Sequence, residues 1–559
     1  MSQTKHIAYV IVLCLLVTVV AGAQSFNVKK MSKSTFTLKT FKVDGTLLGS
    51  TNGFFVGNEG KAMSRFSPFQ GADRAVVIDD QGKEWPVESI LGANETYDVA
   101  KFRVRIKSVQ GLSLASQTGR VGSEVWLLPY RENKRLPCGR LRRVEQFGSG
   151  HAYYTVALAM QETMEGCALL NEEGQVLGLM HLPANTADTL SYAVSTLYID
   201  SLHVTGLSLN DKTLRSTRVK KALPDQADQA LLMLYLAGSS LDSLEYAALI
   251  DDFIAQFPNL SDGYSYRAQV AVNSGRFVDA ARDMEKAISV AEKKDEAHYS
   301  YARLIYQKEL YYAGQPYEPW SLDKALQEAQ QAYQINPLPL YRHLQAQVLY
   351  AQKKYAEALS VYEEVSNTSL RSAEVFFEAS RCKEQLRDTL GQLALLDSAL
   401  ATFSLPYLQE AAPYLLMRAQ VRLDQGSYRD AVSDLNEYEK LMRVRLNAHF
   451  YYIRFQAEMG GRLYQLALND IDKAIDMNPT YDLYHAEKAS LQVRVGLYDE
   501  AIVTAKECIR LAPNYSDGYL FLGLAQCLKG QKEEGVANLR KARELGDAQA
   551  DELIEKYSH

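Results

Sequence analysis

The feature that most restricts this chain is a fixed step of 34 residues in its second half. Ala467, Ala501 and Gly535 are spaced by that step, as are Ala474, Cys508 and Ala542, and Pro479 and Pro513 repeat it once more. A recurrence of small residues at this period predicts one helical hairpin per repeat, each unable to bury its apolar face alone and therefore stacked on its neighbours. The small residues mark where two helices cross closely. From about Leu223 onward the apolar pattern follows the 3.6-residue period of helices, whereas before it the pattern alternates as in strands.

The individual units carry more than the period. Asp482 to Pro513 contains Ala489, Gly496, Tyr498, Ala501 and Cys508, and Asp517 to Leu545 contains Tyr519, Leu522, Gly523, Gly530 and Ala542. Related sets occur at Ala268, Gly275, Phe277, Ala280 and Ala287, at Ala346, Tyr355, Ala358 and Tyr362, and at Ala419, Gly426, Tyr428 and Ala431. These units resemble tetratricopeptide repeats. About nine hairpins are expected over 216–546, the first of them a looser one at Asp225 to Pro258, with a polar capping helix in 547–559. The 35 tyrosines follow from such an architecture, because the phenol body packs between helices while its hydroxyl reaches the hairpin edge. The resemblance further implies a superhelical groove that holds an extended peptide or a partner helix. By repeat position its lining is Gln269, Asn273, Gln347, Tyr350, Gln420 and Arg494, residues that a solvated surface would explain equally well. The Lys and Asn set with which one subclass of these repeats clamps a C-terminal carboxylate is absent.

Between Gln24 and Gly206, short alternating runs such as Thr35 to Val43, Arg74 to Ile78, Glu124 to Leu128 and Val176 to His181 are separated by Gly, Asn and Asp turns, which predicts a sandwich or barrel. Ser50 to Val56 with Gly60 and Gly71, then Tyr97-Asp98-Val99-Ala100, then Gly166 to Asn171 with Gly174 and Gly178, resemble the bacterial trypsin-like serine proteases of the high-temperature-requirement type. The fold class implied is multidomain, all-β plus all-α: a chymotrypsin-like double β-barrel over 24–215 followed by a tetratricopeptide α-superhelix. Peptide cleavage in such a frame requires a hydroxyl nucleophile, an imidazole base and an orienting carboxylate. The resemblance places Ser67 at the histidine position, Asp98 at the aspartate position and Glu165 at the serine position. No histidine lies between His6 and His151 to supply the base. Thr163 stands where the family has the glycine that turns N–H groups toward the oxyanion. The triad is thus expected to be inert, with no catalytic residue intact.

The same residues admit other chemistry. Cys167 with His181 is a formal thiol and base pair, against the simpler reading of a buried cysteine; Asp98 with Glu165 is a formal carboxylate pair, against ancestry and replacement. The segment Thr189 to Ser195 matches the family strand that walls the substrate pocket, and strand addition there would let the domain hold a peptide without cutting it. The remaining histidines are scattered without ligand spacing, so neither a metal nor a cofactor is expected. A net charge of −6 without a basic patch argues against nucleic acid.

The first 23 residues combine Lys5 and His6, an apolar run from Ile7 to Val20 and Ala21-Gly22-Ala23, which predicts a secretory signal peptide cut before Gln24 rather than a membrane anchor. The five cysteines that remain are too widely spaced for a disulfide framework. Asp-Ser/Thr-aliphatic triplets at Asp188, Asp200, Asp242, Asp388 and Asp397 resemble the O-glycosylation motif of exported Bacteroidota proteins. The expectation is an exported adaptor or scaffold, most simply periplasmic, that binds a protein or peptide partner in the cell envelope, with no integral membrane segment after signal cleavage. Two alternatives stand: an active serine endopeptidase whose repeats recruit substrate, and a purely structural spacer.

Overall fold

The computed structural model describes residues 26–131, 135–147, 151–183 and 189–558. The predicted signal segment and Asp188 lie outside the described residues. The described chain divides into two compact units, one reaching Ser274 and including Val278–Val290, the other comprising Gly275–Phe277 and Ala291 onward.

The first unit opens with twelve strands in two closed antiparallel barrels, β1-β2-β3-β6-β5-β4 and β10-β11-β12-β9-β8-β7. The second order is the first shifted by six, so the two barrels share one topology. In the first, β1 (Thr35–Phe41) pairs with β2 (Leu47–Val56) and β4 (Arg74–Ile78), β3 (Lys61–Ser64) pairs with β2 and with β6 (Val99–Val104), and β5 (Glu84–Asn94) closes the ring. In the second, β7 (Glu124–Leu128), β8 (Cys138–Phe147), β9 (His151–Ala157), β10 (Ala168–Leu170), β11 (Val176–His181) and β12 (Leu190–Ser195) repeat the scheme.

Alternation fills each interior, as the pleat requires. Phe36, Leu38, Phe55, Phe66, Phe69 and Phe102 form the core of the first barrel, and Leu127, Tyr154, Val156, Cys167, Leu169 and Leu177 that of the second. A third cluster, with Phe54, Met63, Val99, Leu128, Leu170 and Leu179, draws on strands of both. Gly53 is required in β2 because a Cβ there would meet the Phe36 ring at 2.4 Å and the Met63 carbonyl at 2.5 Å. Strand β12 pairs with β11 along one side and with β9 along the other. The strand addition expected at this segment therefore finds no open edge, because closing the barrel already uses both rows of backbone groups.

Nineteen helices follow among the described residues, from Ala227 to Tyr557. They are α1 (Ala227–Ala237), α2 (Ser243–Gln256), α3 (Ser261–Asn273) and α4 (Phe277–Val290) in the first unit. The second holds α5 (Lys294–Tyr311), α6 (Leu322–Ile335), α7 (Pro339–Ala351), α8 (Tyr355–Ser366), α9 (Ala373–Gln385), α10 (Thr389–Leu400), α11 (Ala412–Asp424) and α12 (Tyr428–Met442), then α13 (Ala448–Gly460), α14 (Tyr464–Met477), α15 (Asp482–Arg494), α16 (Tyr498–Leu511), α17 (Ser516–Leu528), α18 (Lys532–Glu544) and α19 (Ala550–Tyr557). An all-β double barrel followed by an all-α run of tetratricopeptide-type helices is thus the class the chain adopts. The period residues sit where the helices touch: Ala467, Ala474, Ala501, Cys508 and Ala542 are fully buried. Tyr301, Tyr341, Tyr362 and Tyr484 are core residues, as the packing reading of the tyrosines requires. No described helix is long and apolar enough to cross a membrane.

A polar contact with its own repeat joins these helices. Arg267 grips Asp283 through Nε and Nη2, Arg418 grips Asp434 in the same way, and Arg454 grips Asp470 likewise. In each case the arginine is the seventh residue of its helix and the aspartate lies 16 positions on, in the following helix. The third guanidinium nitrogen reaches back to an acid of the preceding helix: Asp251, Asp397 or Glu439. The planar fork of arginine suits this double grip, which a lysine could not reproduce.

Candidate functional site

Ser67, Asp98 and Glu165 converge where loops of the two barrels meet. Ser67 and Arg65 follow β3, and Pro68 at the start of a 3₁₀ turn fixes the backbone that presents them. Asp98 precedes β6 at the end of a turn in which Asn94 accepts the Tyr97 N–H, and it holds a left-handed φ of 46°. Aspartate tolerates that region better than most residues, at a cost of about 1 kcal/mol. Glu165 ends a 3₁₀ turn (Glu162–Met164) before β10, and His181 is the last residue of β11.

The contacts among these groups differ from those of a proteolytic triad. The Asp98 carboxylate accepts the Ser67 N–H at 2.6 Å, the Ser67 hydroxyl at 3.1 Å and the Arg65 Nε at 2.6 Å. Arg65 also pairs through Nη1 with Glu165. A single guanidinium therefore bridges both carboxylates, each about a fifth exposed at 21% and 22%. The free carboxylate pair entertained from the sequence is closed by this cation. Burial pushes the Glu165 carboxyl above its ordinary range, and Arg65 together with the Leu182 N–H pulls it partway back.

His181 lies on the far side of Asp98, with Nδ1 at 3.9 Å from Oδ2. That is beyond hydrogen-bond reach. Burial takes the imidazole down to about 4, Asp98 acting against the fall and Arg65 adding to it, so the ring is neutral at pH 7. Its Nε2 is buried without a hydrogen-bond partner. Cys167 is elsewhere, in the interior of the second barrel, where burial pushes its thiol to about 12. The thiol and base pair considered from the sequence is not assembled.

The loop that would shape an oxyanion hole is tied inward. The N–H groups of Glu165, Gly166 and Cys167 donate to the carbonyls of Glu162, Met180 and Met164. The Asn52 side-chain amide donates to the carbonyls of Thr163 at 2.8 Å and Glu165 at 3.0 Å, and the Asn52 N–H donates to Glu165 as well. Gly166 takes φ 77°, and a Cβ there would meet the Asn52 carbonyl at 2.3 Å. Sequence reasoning missed Arg65, Asn52 and the His181–Asp98 approach. Asn52 and Arg65 lay within motifs read for their glycines and for a missing histidine, and His181 is far along the chain from Asp98.

The residues expected to line a partner groove fall on the first helices of their hairpins. Gln269 and Asn273 belong to the first unit, on α3, and bond to each other at 3.1 Å. The other four belong to the second unit. On α7, Gln347 donates to Glu378 of α9, which also receives His343, and Tyr350 packs against Tyr355 beneath the Arg381 guanidinium. On α11, Gln420 donates to Asp424, and on α15 Arg494 is exposed. Glu378, His343 and Arg381 are thus further polar residues of this helix face, all outside the positions read from the repeat.

No family model matches the chain. Among curated proteins it is similar to the small glutamine-rich tetratricopeptide repeat-containing protein 2 of Saccharomyces cerevisiae, 31% identical over 143 residues, which are 25% of this chain and 41% of that protein. It is also similar to the heat shock protein STI1 of the same yeast, 29% identical over 104 residues, 18% of each chain. The chain spans less than half the length of these relatives. Among solved structures it is similar to the active form of the Rv3671c protease of M. tuberculosis, with 17% identity, a TM-score of 0.27 and coverage of 31% of this chain and 80% of that one. A serine endoprotease from Yersinia pestis gives 14% identity, a TM-score of 0.29 and coverage of 35% and 68%.

Proposed function

We propose that this protein is an exported, non-catalytic adaptor that binds protein partners in the cell envelope through its helical repeats, with the double barrel as a second binding or structural module. The observation that carries the non-catalytic part is the Arg65 bridge. Ser67 directs its hydroxyl at a carboxylate already held by a guanidinium, and among the described residues no imidazole is hydrogen-bonded to that hydroxyl to take its proton. A serine nucleophile needs such a base within about 3.2 Å. The Glu165 N–H, which donates to the Glu162 carbonyl, supports the same reading, since an oxyanion developing at that position would find it already engaged. The similarity of part of the chain to tetratricopeptide proteins supports a protein partner. The predicted signal segment and the Asp-Ser/Thr triplets support export.

The test is a fluorophosphonate probe on the mature protein together with a photo-crosslinking residue at Gln420 or Arg494 in intact cells. The adaptor takes no label and crosslinks to a defined protein band. Labelling that disappears in Ser67→Ala or another single Ser→Ala would instead establish the endopeptidase, and the absence of any crosslinked protein would leave the spacer.

A further inference from the structure

Away from the loops described above, the first unit contains a cavity of ≈600 Å3 bounded by β3, β5 and β6, by residues 199–205 and by the chain entering α1. Three cations line it. Lys61 and Arg103 face each other across the β3–β6 ladder, and Lys101 is two residues before Arg103 on the same face of β6. Lys61 pairs at 3.1 Å with Glu59. The other two have no such partner: among the described residues no carboxylate is within ion-pair distance of Lys101 or Arg103, although Asp200 and Asp225 also line the cavity. Lys101 donates to the Ile199 carbonyl at 2.8 Å, and burial pulls its ammonium below its ordinary range, with Asp200 and Asp225 opposing the fall and Lys61 adding to it. Arg103 Nε is buried with no hydrogen-bond partner.

A buried donor left without an acceptor, as Arg103 Nε is on this half-buried side chain, carries a free-energy cost, and an incoming oxyanion would relieve it by supplying both charge and an acceptor. The rest of the wall is apolar in large part, through Val56, Leu91, Leu114, Leu202 and Leu223. The volume falls within the range of roughly 300–1,000 Å3 typical of small-molecule sites. We propose that this cavity binds a small organic anion, with its carboxylate or phosphate head on Arg103 and Lys101 and its apolar body against the leucines. This site is separate from the Asp98 cluster and does not depend on the adaptor reading.

The experiment is calorimetric titration of the full chain with hexanoate, hexyl phosphate and, as the neutral isostere, hexanamide, at fixed ionic strength. Saturable binding is expected for at least one of the two anions and none for the amide, and the tighter anion identifies the head group. Arg103→Gln is expected to weaken that binding at least about tenfold, as loss of a charge-assisted contact does. Lys61→Gln, at the more exposed rim, keeps the barrel wall intact and is expected to weaken it about threefold. Failure of both anions to bind, binding of hexanamide as tight as that of hexanoate, or unchanged affinity in a folded Arg103→Gln protein would overturn the proposal.

Discussion

Two arginines in this molecule each hold two carboxylates from different elements, and they do so for different reasons. Arg454 binds Asp470 and Glu439 across three helices, in an arrangement that recurs at Arg267 and Arg418. Arg65 binds Asp98 and Glu165, joining loops of two barrels, and no second instance accompanies it in the other barrel among the described residues. A polar contact that repeats with the architecture belongs to the architecture. One that occurs once, among Ser67, Asp98 and Glu165, belongs to that cluster. Burial separates the two as well: Arg454 and Asp470 are only 5% and 4% exposed, against about a fifth for the Arg65 cluster.

The largest effect expected from breaking this comparison comes at Arg454. Arg454→Leu takes the two-point grip away from Asp470, which is 4% exposed, so urea unfolding should show a loss of about 4 kcal/mol, recovered in part by adding Asp470→Leu. Arg65→Leu leaves Asp98 and Glu165 partly hydrated and should cost less, about 2 kcal/mol by the same measurement. A loss at Arg65 equal to that at Arg454 would show that the barrel clamp is as structural as the helical one. The smallest effect sharpens the helical side. Glu458, one turn beyond Arg454, is pushed up to about 8 by burial first and by Asp470 second, with Arg454 opposing. Its folded value lies above the ordinary 4.5, so the native state holds the proton more tightly than the unfolded chain. The stability it contributes is present below pH 4.5 and is lost as pH rises through about 8. Glu458→Gln should therefore leave stability at pH 4 unchanged and raise it at pH 8.5 by on the order of 1 kcal/mol, read from melting curves at the two pH values.

The periodic and alternating parts of the fold were legible because they rest on local rules. Small residues 34 apart marked the hairpin contacts, and runs such as Val176 to His181 marked strands, since each signal is complete within a few residues. Ser67, Asp98 and Glu165 were singled out by resemblance; in the structure Ser67 bonds to Asp98, and Arg65 joins Asp98 to Glu165. What joins them was not legible. Arg65 contacts Asp98 and Glu165, 33 and 100 residues on, and His181 comes to Asp98 from the other barrel, so nothing near these residues in sequence announces the partnership. The helical arginines are a different case. Their step of 16 to an aspartate is written in the chain, but it also occurs at Arg381 and Asp397, where Asp397 is held by Arg418 instead, so the step alone does not announce the grip.

That step has a consequence for how such a chain can change in length. One residue inserted between Arg454 and Asp470 turns the aspartate by about 100° around its helix, away from the guanidinium. A change of length in the connection it spans would therefore break the clamp. The loop containing Gly314 to Trp320 lies between α5 and α6, a pair whose seventh residue, Ser300, is no arginine. In that hairpin no clamp stands to be broken by the longer loop, although α7–α8, α9–α10, α15–α16 and α17–α18 keep short connections without an arginine at the seventh position.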